Sequence, residues 1–178
     1  GSNRWKESSV RQWLNSAAAA NSWWEPQSNF DRPTPDVGKP GFLNGLDADF
    51  LAVIGTVTKR TVKNNEIGGG YEDLTEKIFL PSRSEVFGGN TLDSITYTEE
   101  GAPYAYYDTG RSALAKPGVG ADTNRIHYKA SGTAGSFWLR SGTPHNSMAG
   151  NIVQSSGGIG YGTYAYNSFP VAPVCNVI

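Results

Sequence analysis

Cysteine is almost missing from this chain: Cys175 is the only one in 178 residues. A lone thiol excludes an intrachain disulfide and a zinc site built on cysteines, and it reads as a small buried hydrophobe near the C-terminus. Long apolar runs are missing too, and none approaches the ~20 residues of a membrane-spanning helix. Neither sign of charge is in excess. The formal net charge is −1, which shows no drive toward nucleic acid or an anionic membrane. The signatures of phosphate and dinucleotide binding are absent as well. Gly68-Gly69-Gly70 runs into Tyr71-Glu72, Gly158-Ile159-Gly160-Tyr161-Gly162 has the wrong spacing and opens no helix, and no Gly-x-Ser-x-Gly elbow occurs. The final absence is local. From Ser141 to Ile178 there is no Asp, Glu, Lys or Arg.

That charge-free stretch is rich in Gly, Ser, Tyr, Asn and Thr, the composition of an antibody paratope. Tyr gives large, rigid, amphipathic contact area for little lost entropy, and the small polar residues give adaptable hydrogen bonds. Catalysis needs groups that move protons or stabilise charge, and this stretch supplies almost none. The expectation is a gripping surface. With 178 residues, one domain with its own core is expected, and 22 glycines favour short elements and loops.

Local signals predict two or three short helices followed by a small antiparallel sheet, an α+β chain with long loops. Ser8-Ser9 precedes Val10, Trp13 and Leu14 at helical spacing, and Ala17 to Ala20 extend that helix until Trp24-Glu25-Pro26 ends it. Pro33, Pro35 and Pro40 mark an irregular connection. A second helix spans Leu46 to Ile54, with Asp47 as N-cap and Asp49 in the first turn, so these carboxylates read as caps before metal ligands. Thr56 to Val62 alternates as a strand, and Asn64 to Gly70 forms a turn. Lys77 to Pro81 is a short buried strand, and Ser82 and Glu85 have capping-box spacing. Gly88 to Gly135 is mostly loop, with a turn or strand at Asp122 to Tyr128. Strands are expected at Ser136 to Arg140, Ile152-Val153, Tyr161 to Tyr166 and Val171 to Val177, with a hairpin turn at Gly157-Gly158.

Few titratable residues suggest chemistry. His127 and His145 lack helical metal spacing and fall in expected loops. Glu99 and Glu100 are adjacent, so they point in different directions and make no glycosidase pair by themselves. Arg140, at the end of an apolar strand, reads as a buried anchor whose planar fork satisfies nearby carbonyls or carboxylates.

Four blocks together resemble one family. Val10-Arg11-Gln12-Trp13-Leu14-Asn15 is similar to its early helix, and Lys77 to Glu85 to its central Lys-Ile-Phe-Leu block. Phe137-Trp138-Leu139-Arg140-Ser141 is similar to its Trp-Leu-Arg-Ser block, and Pro170 to Val174 to its closing strand. The resemblance is to a bacterial and phage domain family of poorly known function with a C-type-lectin fold of formylglycine-generating-enzyme type. That fold also houses the variable proteins of diversity-generating retroelements, including phage tropism determinants. The resemblance implies a single ligand-binding domain over residues 1–178 that starts inside its fold, short of the first strand. Glu25-Pro26-Gln27 only echoes a lectin calcium triplet, and Cys175 lacks the partner that the enzymes of this fold require.

In relatives, the stretch between the Trp-Leu-Arg-Ser block and the closing strand is diversified by retrotranscription. The resemblance therefore implies a ligand-binding set of His145, Asn146, Asn151, Ile152, Gly160, Tyr161, Gly162, Thr163, Tyr164, Tyr166, Asn167 and Phe169. Tyr104, Tyr106 and Tyr107 are expected to rim the same site. Met148 and Gln154 do not fit an adenine-replacement pattern and are left out. No catalytic residue, metal or cofactor is expected. The expected partner is a protein or glycan receptor on a cell surface, met by a virion or extracellular protein, with an oligomer compatible and neither nucleic acid nor membrane insertion involved. Two other readings stand beside this one. One is an assembly domain whose Tyr-rich face is a subunit interface. The other is a cell-wall glycan hydrolase using Glu72, Asp73, Glu99 or Glu100.

Overall fold

The computed structural model describes residues 3–27, 31–88, 91–92, 95–107 and 123–178. Part of the long loop expected from Gly88 to Gly135, and part of the proline-punctuated connection, lie outside the described residues. The described chain is α+β, with three short α-helices and small antiparallel sheets. Helix α1 (Ser9–Leu14) comes first, then α2 (Ala48–Val53), β1 (Ile54–Gly55), β2 (Val57–Val62), β3 (Tyr71–Glu76), β4 (Ile78–Phe79) and α3 (Arg83–Phe87). There follow β5 (Thr91–Leu92), β6 (Ile95–Thr96), β7 (His127–Tyr128), β8 (Ala134–Gly135), β9 (Phe137–Thr143), β10 (Asn146–Val153), β11 (Ile159–Tyr164) and β12 (Val174–Val177). One sheet runs β1-β12-β4 and another β11-β10-β9, while β2-β3, β5-β6 and β7-β8 are two-stranded.

Where the sequence carries a local cap, the helix forms as expected. The Asp47 carboxylate accepts from the backbone N–H groups of Asp49 and Phe50 at the start of α2. At α3 the capping box is complete: Ser82 Oγ accepts from Glu85 N, and Glu85 Oε2 accepts from Ser82 N. Helix α1 departs from expectation twice. Ser8 is its N-cap residue but makes no side-chain cap bond, and the helix ends at Leu14 instead of continuing through the alanines. The cause is tertiary. Asn15 Oδ1 accepts from the backbone N–H groups of Lys77 and Ile78, and its amide donates to Ile78 O. These bonds to β4 turn the chain out of the helix.

Strand β3 is an element that the sequence did not announce. Its carboxylates look like loop composition, yet it pairs with β2 along its whole length, Val57 opposite Glu76 through Val62 opposite Tyr71. Arg60 sits opposite Asp73 and bonds it in fork geometry at 2.8 and 3.0 Å, a cross-strand pair of opposite charge. Strand β10 begins at Asn146, well before the expected Ile152, and the Asn3 side-chain amide, donating to Thr143 O, Asn146 O and Ala149 O, holds that extension. His127 lies on strand β7, within the stretch Asp122 to Tyr128 expected as a turn or a strand, its ring 4.2 Å from that of Phe137.

Two apolar clusters fill the interior. Trp5, Leu14, Leu43, Ile54, Leu74, Ile78 and Leu80 form the first, with half-buried Cys175 packed against it. Val86, Phe87, Tyr107, Phe137, Leu139, Val153 and Ile159 form the second. Strand β9 contributes Phe137 and Leu139 to the second, while Trp138 packs on the first. This alternation puts the sheet that carries the charge-free stretch between the two.

Candidate functional site

The charge-free stretch begins inside the protein and ends outside it. Asn151 is fully buried; its amide donates to Ser141 O and Gly142 O and lies 3.4 Å from Tyr97 Oη. Ile152 packs in the interior, opposite Gly160 across β10 and β11. Gly160 is buried too, and a Cβ there would lie 2.6 Å from Ile152 Cγ1. Burial corrects these three positions: they hold the sheet together and offer nothing to a surface ligand. Farther along, Tyr161 is 49% exposed, Tyr164 42% and Tyr166 78%. Gly162 and Asn167 are exposed, and Thr163 is half-buried opposite Gly150.

A β-bulge explains why tyrosines three residues apart share solvent. Between Gly150 and Ile152 the register advances two residues on β10 but three on β11. The extra residue falls at Gly162, whose φ of 66° is left-handed and suits glycine. One inserted residue resets the inside–outside alternation, so Tyr161 and Tyr164 need not fall on opposite faces. Beyond the strand, the Tyr164 and Tyr166 rings stack nearly parallel, 5.3 Å between centroids and 8° between planes. Ala165 N donates to Met148 O, which ties this turn to β10. Met148, left out of the sequence-based set, is exposed beside it. Phe169 is half-buried edge-on against Trp138, 5.4 Å between centroids, and closes the segment onto β9.

The other predicted residues are scattered. His145 is exposed at the turn between β9 and β10, its Nδ1 2.8 Å from Asn65 Nδ2. Asn146 is half-buried and accepts from Met148 N. Tyr107 is buried in the second cluster, and burial pushes its phenol up to about 12. Tyr104 is half-buried and accepts from Lys59 Nζ at 3.1 Å; its phenol is also raised, first by burial. Tyr106 is exposed, edge-on to Tyr107. Among the described residues no ring contact joins Tyr106 to Tyr161, Tyr164 or Tyr166. The expected rim of three tyrosines is therefore corrected: Tyr107 is core, Tyr104 is an interior hydrogen-bond partner, and Tyr106 alone is open.

A buried polar node surrounds Arg140 of β9. The Arg140 guanidinium donates to Leu80 O, Arg60 O, Glu100 O and Glu85 Oε2. Lys59 approaches Glu85 Oε1 at 2.9 Å. Burial pushes the Glu85 carboxyl up, but Arg140, the Ser82 N–H and Lys59 outweigh it, and the net direction is down. Glu100 is wholly buried, and desolvation raises its carboxyl despite Arg140, Ser141 Oγ and Val62 N. The candidate hydrolase carboxylates are all engaged. Glu72 takes a fork from Arg4, Asp73 and Glu99 share Arg60, and Glu100 is inside the node. Among the described residues no group of three His, Cys, Asp or Glu is placed to hold a metal ion.

A cleft of about 270 Å³ opens beside the tyrosines, with Ala165 in its wall. Trp24, Trp138 and Trp5 line it, together with Ser8 and Ser9. The sequence offered no signal for it, because its walls come from the segments around Trp5, Trp24 and Trp138.

The family of domains described as a domain of unknown function, DUF6273, matches residues 1–178, and the chain belongs to that family. Searches of curated proteins and of solved structures gave no match.

Proposed function

We propose that this chain is a non-catalytic binding module of C-type-lectin-like fold, carried on a virion or at a cell surface. It grips a protein or glycan receptor with a variable aromatic face related to those of diversity-generating retroelements. The observation that carries this reading is the joint exposure of Tyr161, Tyr164 and Tyr166 on an uncharged strand and turn, two of them already stacked. Rings ordered before binding lose little entropy when a partner arrives. The bulge at Gly162 also suits the role, because it lets side chains change outside while Asn151 and Ile152 hold the sheet inside.

The test replaces all three tyrosines with serine and measures retention of the immobilised chain on bacterial cells, beside circular dichroism. The expected result is an unchanged fold and lost retention. A variant that unfolds, or a folded variant with full retention, overturns the reading. Sedimentation of the wild-type chain separates the assembly alternative, which requires a stable oligomer that hides these tyrosines.

A further inference from the structure

The five tryptophans divide by what their indole N–H groups do. Trp5 Nε1 donates to Glu76, Trp13 Nε1 to Pro40 O and Trp23 Nε1 to Lys39 O. Trp24 and Trp138 have no such partner among the described residues, and both are half-buried walls of the cleft. A half-buried indole usually finds a partner for its N–H. Three tryptophans line the cavity, and in two of them, Trp24 and Trp138, the indole N–H is left for a partner from outside, while Trp5 spends its own on Glu76.

The hydroxyls there behave alike. Ser8 occupies the N-cap position of α1 but does not use its oxygen for capping, and Ser9 makes no side-chain bond among the described residues. Thr34 Oγ1 is shielded from solvent and has no hydrogen-bond partner among the described residues. The charges in the same cleft are spoken for. Glu7 pairs with Arg4, Asp31 accepts from Gln27 N, Arg32 donates to Asp31 O, and Arg140 belongs to the buried node. Two carboxylates balance two guanidinium groups, so the cavity selects neither anion nor cation by its net field. The hydroxyls and indole N–H groups left without a partner among the described residues are all neutral, and they sit beside flat apolar ring surface.

A pyranose ring matches that inventory. It has one apolar C–H face and a girdle of neutral hydroxyls that both donate and accept. Ligand pockets for drug-sized molecules run ~300–1,000 Å³, so about 270 Å³ suits one ring. We propose that this cleft is a metal-independent subsite for a single neutral pyranose residue, with Trp24 and Trp138 as stacking and donor surfaces and Ser8, Ser9 and Thr34 as hydroxyl partners. The subsite rests on the binding-module reading and deepens it: Ala165, between the stacked tyrosines, is part of its wall, so a ring seated here touches the turn that carries Tyr164 and Tyr166.

The experiment titrates the full chain, in buffer with EDTA, with methyl α-glucoside, methyl α-galactoside, methyl α-mannoside, N-acetylglucosamine and N-acetylgalactosamine. Choline and sulfate serve as charged controls, and ligand-observed NMR is the readout. At least one sugar is expected to bind saturably with a Kd on the order of 1 mM, with calcium making no difference. Trp24→Ala is expected to weaken it at least about tenfold, a change of ~1.4 kcal/mol. If that variant does not fold, Trp24→Phe and Ser8→Ala replace it, each expected to weaken binding severalfold. Serine in place of Tyr161, Tyr164 and Tyr166 is expected to leave the sugar Kd within about twofold. Absence of saturable sugar binding overturns the subsite, even if cell retention persists and the binding-module reading stands. Full affinity in the folded Trp24 or Ser8 variants, a calcium requirement, tighter binding of choline or sulfate, or loss of the sugar in the tyrosine variant also overturns it. Retained sugar affinity with unchanged cell retention in the tyrosine variant overturns the face and leaves the subsite.

Discussion

The interior around Arg140 and the surface around Tyr164 belong to one three-stranded sheet, β11-β10-β9, yet they are built from opposite materials. The interior concentrates charge: Arg140, Glu85 and Glu100 are almost completely shielded and bonded to one another or to backbone. The surface has no charge and leaves its aromatics in water. A buried charge without its partner is expensive, so the node demands particular residues. An exposed neutral side chain has few obligations to its neighbours, so the face accepts many. The two regions divide labour along the sheet, one defining the scaffold and the other leaving room for variation.

The sharpest way to break this comparison is Arg140→Met. Removing the guanidinium strands Glu85 among buried groups, and about 3–5 kcal/mol of destabilisation is expected, read as a lower urea midpoint. If Arg140→Met is neutral, the node is dispensable and the contrast fails. The second prediction uses pH. The Glu85 carboxyl is held below its ordinary 4.5, so its contribution is present above that value and lost as pH falls through the folded-state value. The Glu100 carboxyl is raised, so its contribution is present below the ordinary 4.5 and lost as pH rises through the folded-state value. Glu85→Gln is expected to flatten the acid limb of the stability profile, and Glu100→Gln to remove a loss on its higher-pH side. Identical profiles in the two variants contradict the opposite assignments.

Smaller effects probe the boundary between the regions. Gly160→Ala sets a Cβ against Ile152 and is expected to cost about 1–3 kcal/mol. At Gly162 a Cβ meets nothing within 4 Å, so Gly162→Ala carries only backbone strain, about 1–2 kcal/mol. Thermal melts of the two rank them. Smallest is the effect on folding of serine at Tyr161, Tyr164 and Tyr166, expected within about 1 kcal/mol in total. A larger loss in denaturant titration shows that the face also serves the core.

What was legible in the sequence was what neighbours in the chain decide. The capping box at Ser82 and Glu85, the Asp47 cap, the alternation of β2 and the apolar run around Leu139 each announce their element locally. Arg140 showed its anchoring role because a lone guanidinium on an apolar strand needs partners. Strand β3 stayed hidden because its carboxylates are stabilised by Arg4 and Arg60, which belong to other segments. The end of α1 was misread because Asn15 is claimed by β4. In the candidate site, composition identified the stretch but not its depth. Asn151 and Tyr164 read alike in sequence, and only the stacking of the sheet against the core separates them. The tryptophan cleft was out of reach for the same reason, since its walls meet only after folding.

Asn3 has a mechanical consequence. Its amide reaches three carbonyls of the β9–β10 hairpin and its Oδ1 accepts from Asn64, so one side chain rivets the hairpin to two other segments. A load dragging sideways on the tyrosine-bearing strand passes through β10 into that rivet and is shared with the body of the domain, which makes peeling the sheet apart strand by strand a poor route to failure.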